Sequence, residues 1–277
     1  MERFRFESAA GRTPRCCMGA CVTTDAERFT SVAERTEPAA TVEFINRYFE
    51  VLFRPVFDNG GFISDVKGDG ALAIWAEFSP DPELRAKVCR ACLEMAGNAA
   101  QFHRRYPEQG WATRIGAYFG PIALATVGAL AHYEYRAVGD TVNTSSRLEE
   151  LNKLLGTRVL VSAGLAEGLD EFLYRDLGEF ELRGKLKRVR VCELLARRDE
   201  ASDQQLRLCD DFAAAMLAQR AGRLREAHSV LAELCARHPE DGPSRLQLER
   251  CRRAFAGALP RTGAALPLAF ALPAGNA

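Results

Sequence analysis

The sequence predicts an α+β fold built around a mainly antiparallel sheet. Short apolar strands, long amphipathic helices and tight turns follow one another before Arg197, in the order βααββαββ followed by αβ. Helices and hairpins are mixed in this order, which favours such a sheet over a doubly wound parallel one. With 277 residues, 47% of them hydrophobic, the chain can bury one large core and a small accessory unit.

Each predicted element has a local signal. A mostly apolar strand spans Cys16 to Thr24, and apolar residues recur at i, i+3, i+4 and i+7 over 41–57, as in a helix. Residues 62–78 are interpreted as two strands joined by a tight turn at 67–70. The further elements are a helix over 81–105, strands over 111–139, a helix over 140–154 with Asp140 as its N-cap, and three final strands.

The longest uncharged stretch runs from Ile115 to Tyr133. Its glycines, and the turn signal at Gly120-Pro121, divide it into two halves of strand length, so we predict a buried hairpin and no membrane span. The N-terminus lacks the apolar region of a signal peptide. These features predict a cytoplasmic protein.

Charge and cysteine content exclude several classes of protein. Lys plus Arg equals Asp plus Glu at 37 each, so no global field favours nucleic acid or an anionic membrane, and we expect no nucleic-acid partner. The nine cysteines show no metal-finger spacing, and the lone pair Cys89 and Cys92 is interpreted as helix core. Unpaired thiols indicate a reducing compartment.

The character of the chain changes after Arg197. A polar linker leads into 204–257, where the spacing of Ala, Gly and Pro predicts two helices hinged at Gly222 and ending before Pro239. This segment resembles a tetratricopeptide unit. A single unit cannot bury its own face, so it is expected to pack on the main domain or on a protein partner. Residues 258–277 lack periodicity and are predicted to be disordered.

Two carboxylates follow or join predicted strands. Asp25 ends the first strand where a helix is expected to begin, so it is either a metal ligand beside an anion site or simply a helix cap. Asp69 stands on the turn Gly68-Asp69-Gly70, where the plainer interpretation is an ordinary turn residue. Two carboxylates from separate strand ends suit Mg²⁺, which prefers one or two carboxylates together with phosphate oxygens and water.

A third segment opens the helix predicted over 140–154. Asn143 and Arg147 are four residues apart and therefore share one helix face. Each is ordinary alone, since an exposed helical arginine is usually solvated. Together, in the first two turns after a glycine, they suit binding of a sugar and a phosphate.

In this order and spacing, the three segments resemble the catalytic domain of the class III adenylyl and guanylyl cyclases. TDAERFT matches that family's Asp-x-x-x-Phe-Thr segment, GDGALAIW its metal-bearing hairpin, and GDTVNTSSR its Gly-(Asp/Asn)-x-Val-Asn-x-x-x-Arg helix. The residues around these segments are most similar to those of bacterial cyclases that carry an extracellular sensor and membrane spans in other parts of the chain. Neither a sensor nor a membrane span is expected here. The resemblance implies a ferredoxin-like, palm-type sheet with flanking helices, a catalytic domain over 16–197 and an N-terminal extension over 1–15.

The resemblance also implies roles for individual residues. Asp25 and Asp69, with the carbonyl of Ala26, would hold two Mg²⁺ or Mn²⁺ ions that activate the ribose 3′-hydroxyl and stabilise the leaving pyrophosphate. Asn143 would orient the ribose, and Arg147 would neutralise charge on the α-phosphate. The remaining substrate-binding positions implied are Phe29, Thr30, Arg183 and Lys185, of which Lys185 is the first choice to reach the terminal phosphates.

Two positions depart from the family pattern. Asp65 stands four residues before Asp69, where adenylyl cyclases of the type pattern carry a base-reading Lys, and Arg136 stands where they carry Asp or Thr. The two charges are swapped as a pair, so a complementary arrangement is retained, but the family's rule for recognising adenine does not transfer.

We predict an adenylate cyclase that acts on ATP as a homodimer, in which one protomer supplies the metal carboxylates of a site and its partner supplies Asn143 and Arg147. The alternatives are a guanylate cyclase acting on GTP and a non-catalytic cyclase-like module that acts through its helical tail. A diguanylate cyclase is excluded because the sequence has no Gly-Gly-(Asp/Glu)-Glu-Phe segment.

Overall fold

The computed structural model describes residues 13–27, 29, 34–79, 81–107, 112–129, 132–185 and 187–257. These residues form two compact units. The first contains the described chain up to Asn152 together with Arg158–Leu169. The second contains Lys153–Thr157 and the described chain from Asp170 onwards. The predicted N-terminal extension therefore falls almost entirely, and the predicted disordered tail entirely, outside the described residues.

The first unit is a mixed sheet with flanking helices. Its strands lie in the order β2–β3–β1–β4–β6, with β5 beside β4, and the only parallel pair among these described strands is β4 with β6. The mainly antiparallel sheet predicted from the sequence is confirmed. The elements are β1 (Arg15–Ala26), α1 (Pro38–Asp58), β2 (Phe62–Lys67), β3 (Gly70–Glu77), α2 (Leu84–Arg105), β4 (Thr113–Ala129), β5 (His132–Val138), α3 (Asp140–Leu155), β6 (Val159–Ser162) and the single turn α4 (Ala163–Ala166).

The centre of the sheet is apolar because β1 lies between β3 and β4. Its residues Ala20, Cys21 and Val22 are fully buried, the continuous pattern expected of a central strand covered on both faces. Ile74 from β3 and Leu124 from β4 join Cys21 in one core cluster. This buried centre fixes the register of β1 and hence the place where its last residues emerge.

Helix α3 lies unusually close to β4. A Cβ atom at Gly116 would sit 2.2 Å from the amide nitrogen of Glu149 and 2.3 Å from the carbonyl oxygen of Ser145. Only a residue without a side chain allows the helix backbone to approach the strand this closely. The amide of Asn152 donates to the carbonyl of Ile115 at 3.0 Å and holds the same two elements together.

The predicted turn at Gly120-Pro121 is wrong. Strand β4 continues through both residues, with Gly120 opposite Gly19 and Pro121 opposite Met18 of β1. In the described pairings, β6 reaches only Ala117 and β5 begins only at Ala123, so one edge of β4 is open between them, and a residue without an N–H is tolerated there. The hairpin that does form lies later in the chain, between β4 and β5.

The second unit contains a hairpin and three helices. Strand β7 (Phe172–Phe180) pairs antiparallel with β8 (Val189–Arg197), and α5 (Asp203–Arg220), α6 (Leu224–Arg237) and α7 (Gly242–Phe255) follow. Gly222 adopts φ 75° in the turn between α5 and α6, where the sequence predicts a hinge. A third helix follows Pro239, which the sequence reasoning missed. The tetratricopeptide-like character of this segment stays a prediction.

The buried side chain of Arg175 connects several elements of the second unit. Its side chain is 2% exposed and donates to Glu193 on β8 at 2.9 and 2.5 Å. It also donates to Asp241, the N-cap of α7, at 2.8 and 2.7 Å, and lies 5.0 Å from the ring centroid of Phe212 on α5. One buried guanidinium therefore connects two strands and two helices.

All nine cysteines are free, and Cys89 and Cys92 are buried in α2 as the sequence predicts. Burial raises the pKa of the Cys92 thiol. In the part of the chain that the structure describes, no helix combines the length and apolar character needed to cross a bilayer.

Candidate active site

Asp25 and Asp69 come together at one edge of the sheet. Thr24 on β1 pairs with Ala71 on β3, so the end of β1 faces the turn that precedes β3. The backbone N–H of Ala26 donates to Oδ2 of Asp69 at 3.2 Å. Gly68 adopts φ 62° in this turn, a conformation that favours glycine. Antiparallel pairing thus carries two acidic residues that are distant in sequence into one place.

The electrostatics of this pair favour a cation. Burial, and then the negative charge of Asp25, raise the pKa of the Asp69 carboxyl. A divalent cation between the two groups would relieve both effects, and carboxylate and carbonyl oxygens are the ligands that Mg²⁺ takes. Among the described residues, no group of three or more His, Cys, Asp or Glu side chains could hold a metal. Two carboxylates and one carbonyl leave most coordination positions of such an ion to substrate oxygens and water, as Mg²⁺ prefers.

Two further residues belong to the site and were missed by the sequence reasoning. Arg114 on β4 donates from Nη2 to Oδ2 of Asp25 at 2.5 Å and from Nε to Oε1 of Glu149 on α3 at 2.9 Å. Arg114 is 9% exposed and Glu149 7% exposed. The Nη1 atom of Arg114 is buried and has no hydrogen-bond partner in the described structure.

The electrostatic surroundings of Glu149 are strongly perturbed. Burial, and then the charge of Asp25, raise the pKa of Glu149 to about 7, although Arg114 opposes the shift. The sequence did carry a signal for both missed residues. Arg114 interrupts an apolar strand, and Glu149 falls on the helix face of Leu148 and Asn152, which are buried.

A neutral polar network lies under the end of β1. Thr113, which pairs with Ala26, is bonded through its hydroxyl to Tyr48 at 2.8 Å and to Nε2 of His103 at 3.2 Å. Burial raises the pKa of Tyr48, with smaller contributions from the charges of Asp69 and Asp25, and burial lowers the pKa of His103. The network therefore stays uncharged beneath the carboxylates at neutral pH.

Asn143 and Arg147 lie on the outward face of α3. Asn143 is exposed, and Arg147 donates to its helix neighbour Glu150 at 2.6 Å. The inner face of α3 is held by a 2.8 Å hydrogen bond between Ser145 and Thr23 of β1. Within the described residues, no hydrogen bond or ion pair joins Asn143 or Arg147 to Asp25 or Asp69.

The swapped pair Asp65 and Arg136 does meet. Arg136 on β5 donates from Nη2 to Oδ1 of Asp65 on β2 at 3.3 Å, and its Nε lies 2.6 Å from Oε2 of Glu134. The complementarity predicted from the sequence is confirmed as a contact between two partly exposed side chains.

The remaining predicted substrate residues are scattered. Phe29 is half-buried, and Thr30 lies outside the described residues. Arg183 and Lys185 lie in the second unit on the connection between β7 and β8, where Gly184 adopts φ 75° and the Lys185 amide donates to the carbonyl of Leu182 at 3.0 Å.

Strand-end carboxylates, a buried arginine beside them and a polar helix face are features that suit the binding of phosphate groups together with a divalent cation. Residues 17–194 match the family model for the adenylate and guanylate cyclase catalytic domain. The chain belongs to this family, the class III nucleotide cyclases, as its three motifs imply.

Adenylyl cyclases and a guanylyl cyclase are among the proteins that are similar to this chain. Adenylate cyclase 1 of Rhizobium meliloti (strain 1021) is 33% identical over 178 residues, which cover 62% of this chain and 26% of that protein. The adenylyl cyclase CyaB from P. aeruginosa superposes with a TM-score of 0.60 at 20% identity, covering 69% of this chain and 100% of that one. The guanylyl cyclase Cya2 gives 0.59 at 20% identity, covering 69% and 98%. The chain thus spans about a quarter of the length of the Rhizobium relative, and the solved structures establish the fold alone.

Proposed function

We propose that this protein is an adenylate cyclase that converts ATP into 3′,5′-cyclic AMP and pyrophosphate in intracellular signalling. The observation that carries the proposal is the convergence of Asp25 and Asp69, linked through the backbone of Ala26 at 3.2 Å. Its relatives named adenylate cyclase in Rhizobium meliloti support ATP as the substrate.

Asp25, Asp69 and the carbonyl of Ala26 would hold two Mg²⁺ or Mn²⁺ ions. Such ions lower the pKa of a hydroxyl nucleophile and stabilise the leaving pyrophosphate. Arg114 keeps Asp25 oriented through a 2.5 Å hydrogen bond. Asn143 orients the ribose, and Arg147 donates to the α-phosphate as its negative charge grows.

The triphosphate and the base are bound by further residues of the chain. Lys185, with Arg183 beside it, neutralises the terminal phosphates, and Phe29 and Thr30 are further substrate-binding positions. The purine edge is bound by Asp65 and Arg136, whose side chains already face each other at 3.3 Å. Carboxylate and guanidinium provide acceptors and donors for that edge.

We infer that the working form is a homodimer with two shared sites. Asn143 and Arg147 point outward from α3 and have no described link to the carboxylates of their own chain, so a second copy of the chain would complete each site. The tetratricopeptide-like segment over 204–257 would then be free to contact a protein partner.

A guanylate cyclase is the second candidate, and the Asp65–Arg136 pair favours it. For guanine, Asp65 accepts from N1 and N2 together while Arg136 donates to O6. For adenine, Asp65 accepts from the N6 amine while Arg136 donates to N1. The first pairing satisfies more donors, whereas the named bacterial relatives favour ATP.

Turnover of the purified chain with ATP and with GTP, each with Mg²⁺ and with Mn²⁺, tests the proposal directly. Asp69→Asn keeps the size of the side chain but removes the charge that binds a cation, so activity should fall more than about 100-fold, beyond the usual effect of a residue that only supports a ligand. The matched control is Asp58→Asn, because Asp58 pairs only with Arg54 on the exposed face of α1 in the described contacts. Near wild-type turnover by Asp69→Asn with Mg²⁺ would contradict the metal assignment.

Shared sites are tested by mixing two inactive variants. Asp69→Asn and Arg147→Ala should each be inactive, whereas random exchange of protomers makes half of the dimers heterodimers with one intact site of two, restoring about a quarter of wild-type activity. A silent mixture, with exchange demonstrated by an affinity tag on one variant, would show that the two halves do not act across the dimer.

Base recognition is tested by Asp65→Ala and Arg136→Ala. Both side chains are partly exposed in the free chain, and the proposal places them against the base, where it would bury them. An unpaired partner buried there changes binding by about 1–3 kcal/mol, so each variant should change the ATP-to-GTP ratio of kcat/KM about 5- to 150-fold. Metal dependence should change much less. If the ratio stays constant in both variants, the pair is structural and the base is bound elsewhere.

A further inference from the structure

Helix α3 is connected to Asp25 of its own chain through Arg114 on β4. Glu149 on its inner face is bonded to Arg114, and Arg114 is bonded in turn to Asp25. Arg114 is 9% exposed and Glu149 7%, so the bond between them lies inside the protein and is little screened by solvent, whereas the Asp25 side chain is 35% exposed. The position of Asp25 is thereby linked to the position of α3.

The opposite face of α3 carries the pair proposed to act on the substrate. Arg147 and Glu149 are two residues apart and therefore about 200° apart around the helix axis. Arg147 points outward with Asn143, whereas Glu149 points to β4. The same helix thus presents one face to its own Asp25 and the other face away from its own chain.

Helix α3 is one continuous helix without an internal hinge residue. It contains no Gly or Pro from Asp140 to Leu155. Its inner face is fixed to β1 by Ser145 and Thr23, and its backbone touches Gly116 on β4. A displacement of Glu149 must therefore be a displacement of Arg147 as well.

We propose that Glu149 is a positioning residue that couples the two active sites of the dimer. The inference rests on the proposed shared sites: α3 would contact one site through Glu149 and Arg114 and the other through Asn143 and Arg147. The Asp25–Arg114–Glu149 bonds of each protomer set the placement of its α3, and with it the placement of Arg147 in the site built on the carboxylates of the partner.

A heterodimer with a single working site separates coupling from a local role. One protomer, the helix donor, carries Asp69→Asn, and its partner, the carboxylate donor, carries Arg147→Ala; different affinity tags allow only heterodimers to be isolated. The working site then uses the carboxylates of the carboxylate donor together with Asn143 and Arg147 of the helix donor. Failure of this heterodimer to turn over would overturn the shared sites themselves, before any question of coupling arises.

Glu149→Gln is then placed in one protomer at a time. In the helix donor, Glu149 is linked through Arg114 to Asp25 of the disabled site, so coupling predicts that kcat at the working site falls about fivefold or more, with the apparent metal affinity unchanged. In the carboxylate donor, Glu149 supports the working Asp25, so the apparent affinity for Mn²⁺ and Mg²⁺ should fall. Unchanged kcat with the substitution in the helix donor would overturn the proposal and leave Glu149 a purely local role.

Two controls complete the experiment. Lys153→Gln in the helix donor removes an exposed charge from the same helix and should leave kcat and KM unchanged. Arg114→Gln in the helix donor breaks the same link from the β4 side without altering α3, so it should reproduce the loss of kcat. Size-exclusion chromatography and thermal denaturation verify that each heterodimer is assembled, and an Arg114→Gln heterodimer with wild-type kcat would count against coupling.

Discussion

Replacing Gly116 with alanine should test how closely the placement of α3 controls activity. The added Cβ would lie 2.2 Å from the Glu149 nitrogen and 2.3 Å from the Ser145 oxygen. Non-bonded contacts of a carbon atom are normally about 3.5 Å or longer, so the helix must move away from β4 by more than about 1 Å. Both obstructing atoms are backbone, so no side-chain rotation can relieve the clash.

Gly116→Ala should lower both the free energy of unfolding and kcat, for different reasons. Overpacking of this kind costs about 1–3 kcal/mol of the free energy of unfolding. The Arg114–Glu149 bond, now 2.9 Å, would stretch beyond the length of a hydrogen bond when the helix retreats. A shift of about 1 Å in positioning groups lowers catalytic rates about 100-fold, so the loss of kcat should exceed what instability alone explains.

Urea denaturation and cyclase turnover, measured on the same preparations, check this prediction. The matched control is Gly97→Ala on α2, where an added Cβ meets nothing within 4 Å. That variant should keep full activity and gain about 0.5–1 kcal/mol because alanine favours the helix. Wild-type stability and turnover of Gly116→Ala would refute the argument.

Further predictions concern the second unit and acid stability. Arg175→Met should lower the free energy of unfolding by about 3–5 kcal/mol in urea denaturation, because it leaves two buried carboxylates uncompensated. Arg188→Met, which breaks a more exposed ion pair, should cost no more than about 1 kcal/mol; equal losses would contradict the buried role of Arg175. Burial opposes ionisation of Asp241, but Arg175 outweighs it and lowers the pKa of that carboxyl. A lowered carboxyl pKa gives stability that is complete above about pH 5 and is lost as the pH falls below about 4. The difference in unfolding free energy between wild type and Arg175→Met should therefore shrink from about pH 6 to about pH 3, and a constant difference would show that Asp241 does not titrate with the pair.

Much of the fold and half of the site could be predicted from local patterns. The apolar run ending at Asp25, the glycines around Asp69 and the spacing of Asn143 and Arg147 each lie within one element, where sequence and geometry are directly related. Asp65 and Arg136 were paired through the resemblance to the family, because they occupy its two base-reading positions with opposite charges, and their contact is observed. The first three predictions needed only one element, whereas the last needed the family pattern.

The remaining features depend on which elements become neighbours. Gly120-Pro121 has the composition of a turn, but β1 pairs across it and keeps the strand extended. Arg114 and Glu149 are 35 residues apart, and no spacing rule joins a strand to a helix at that distance. The close approach at Gly116 that brings them together is a property of packing, so the sequence alone could not predict it.

The pairing of β1 with β4 also has a consequence for how the chain folds. Thr24 lies opposite Ile115, so about ninety residues must be made before β1 gains its second neighbour. At about 5–20 residues per second, the edge of β1 that pairs with β4 stays unpaired for roughly 5 to 20 seconds during synthesis. Non-local pairing of this kind slows folding and leaves intermediates open to aggregation. Slower synthesis at low temperature, or chaperone binding during that interval, is therefore expected to determine how much active protein a cell accumulates.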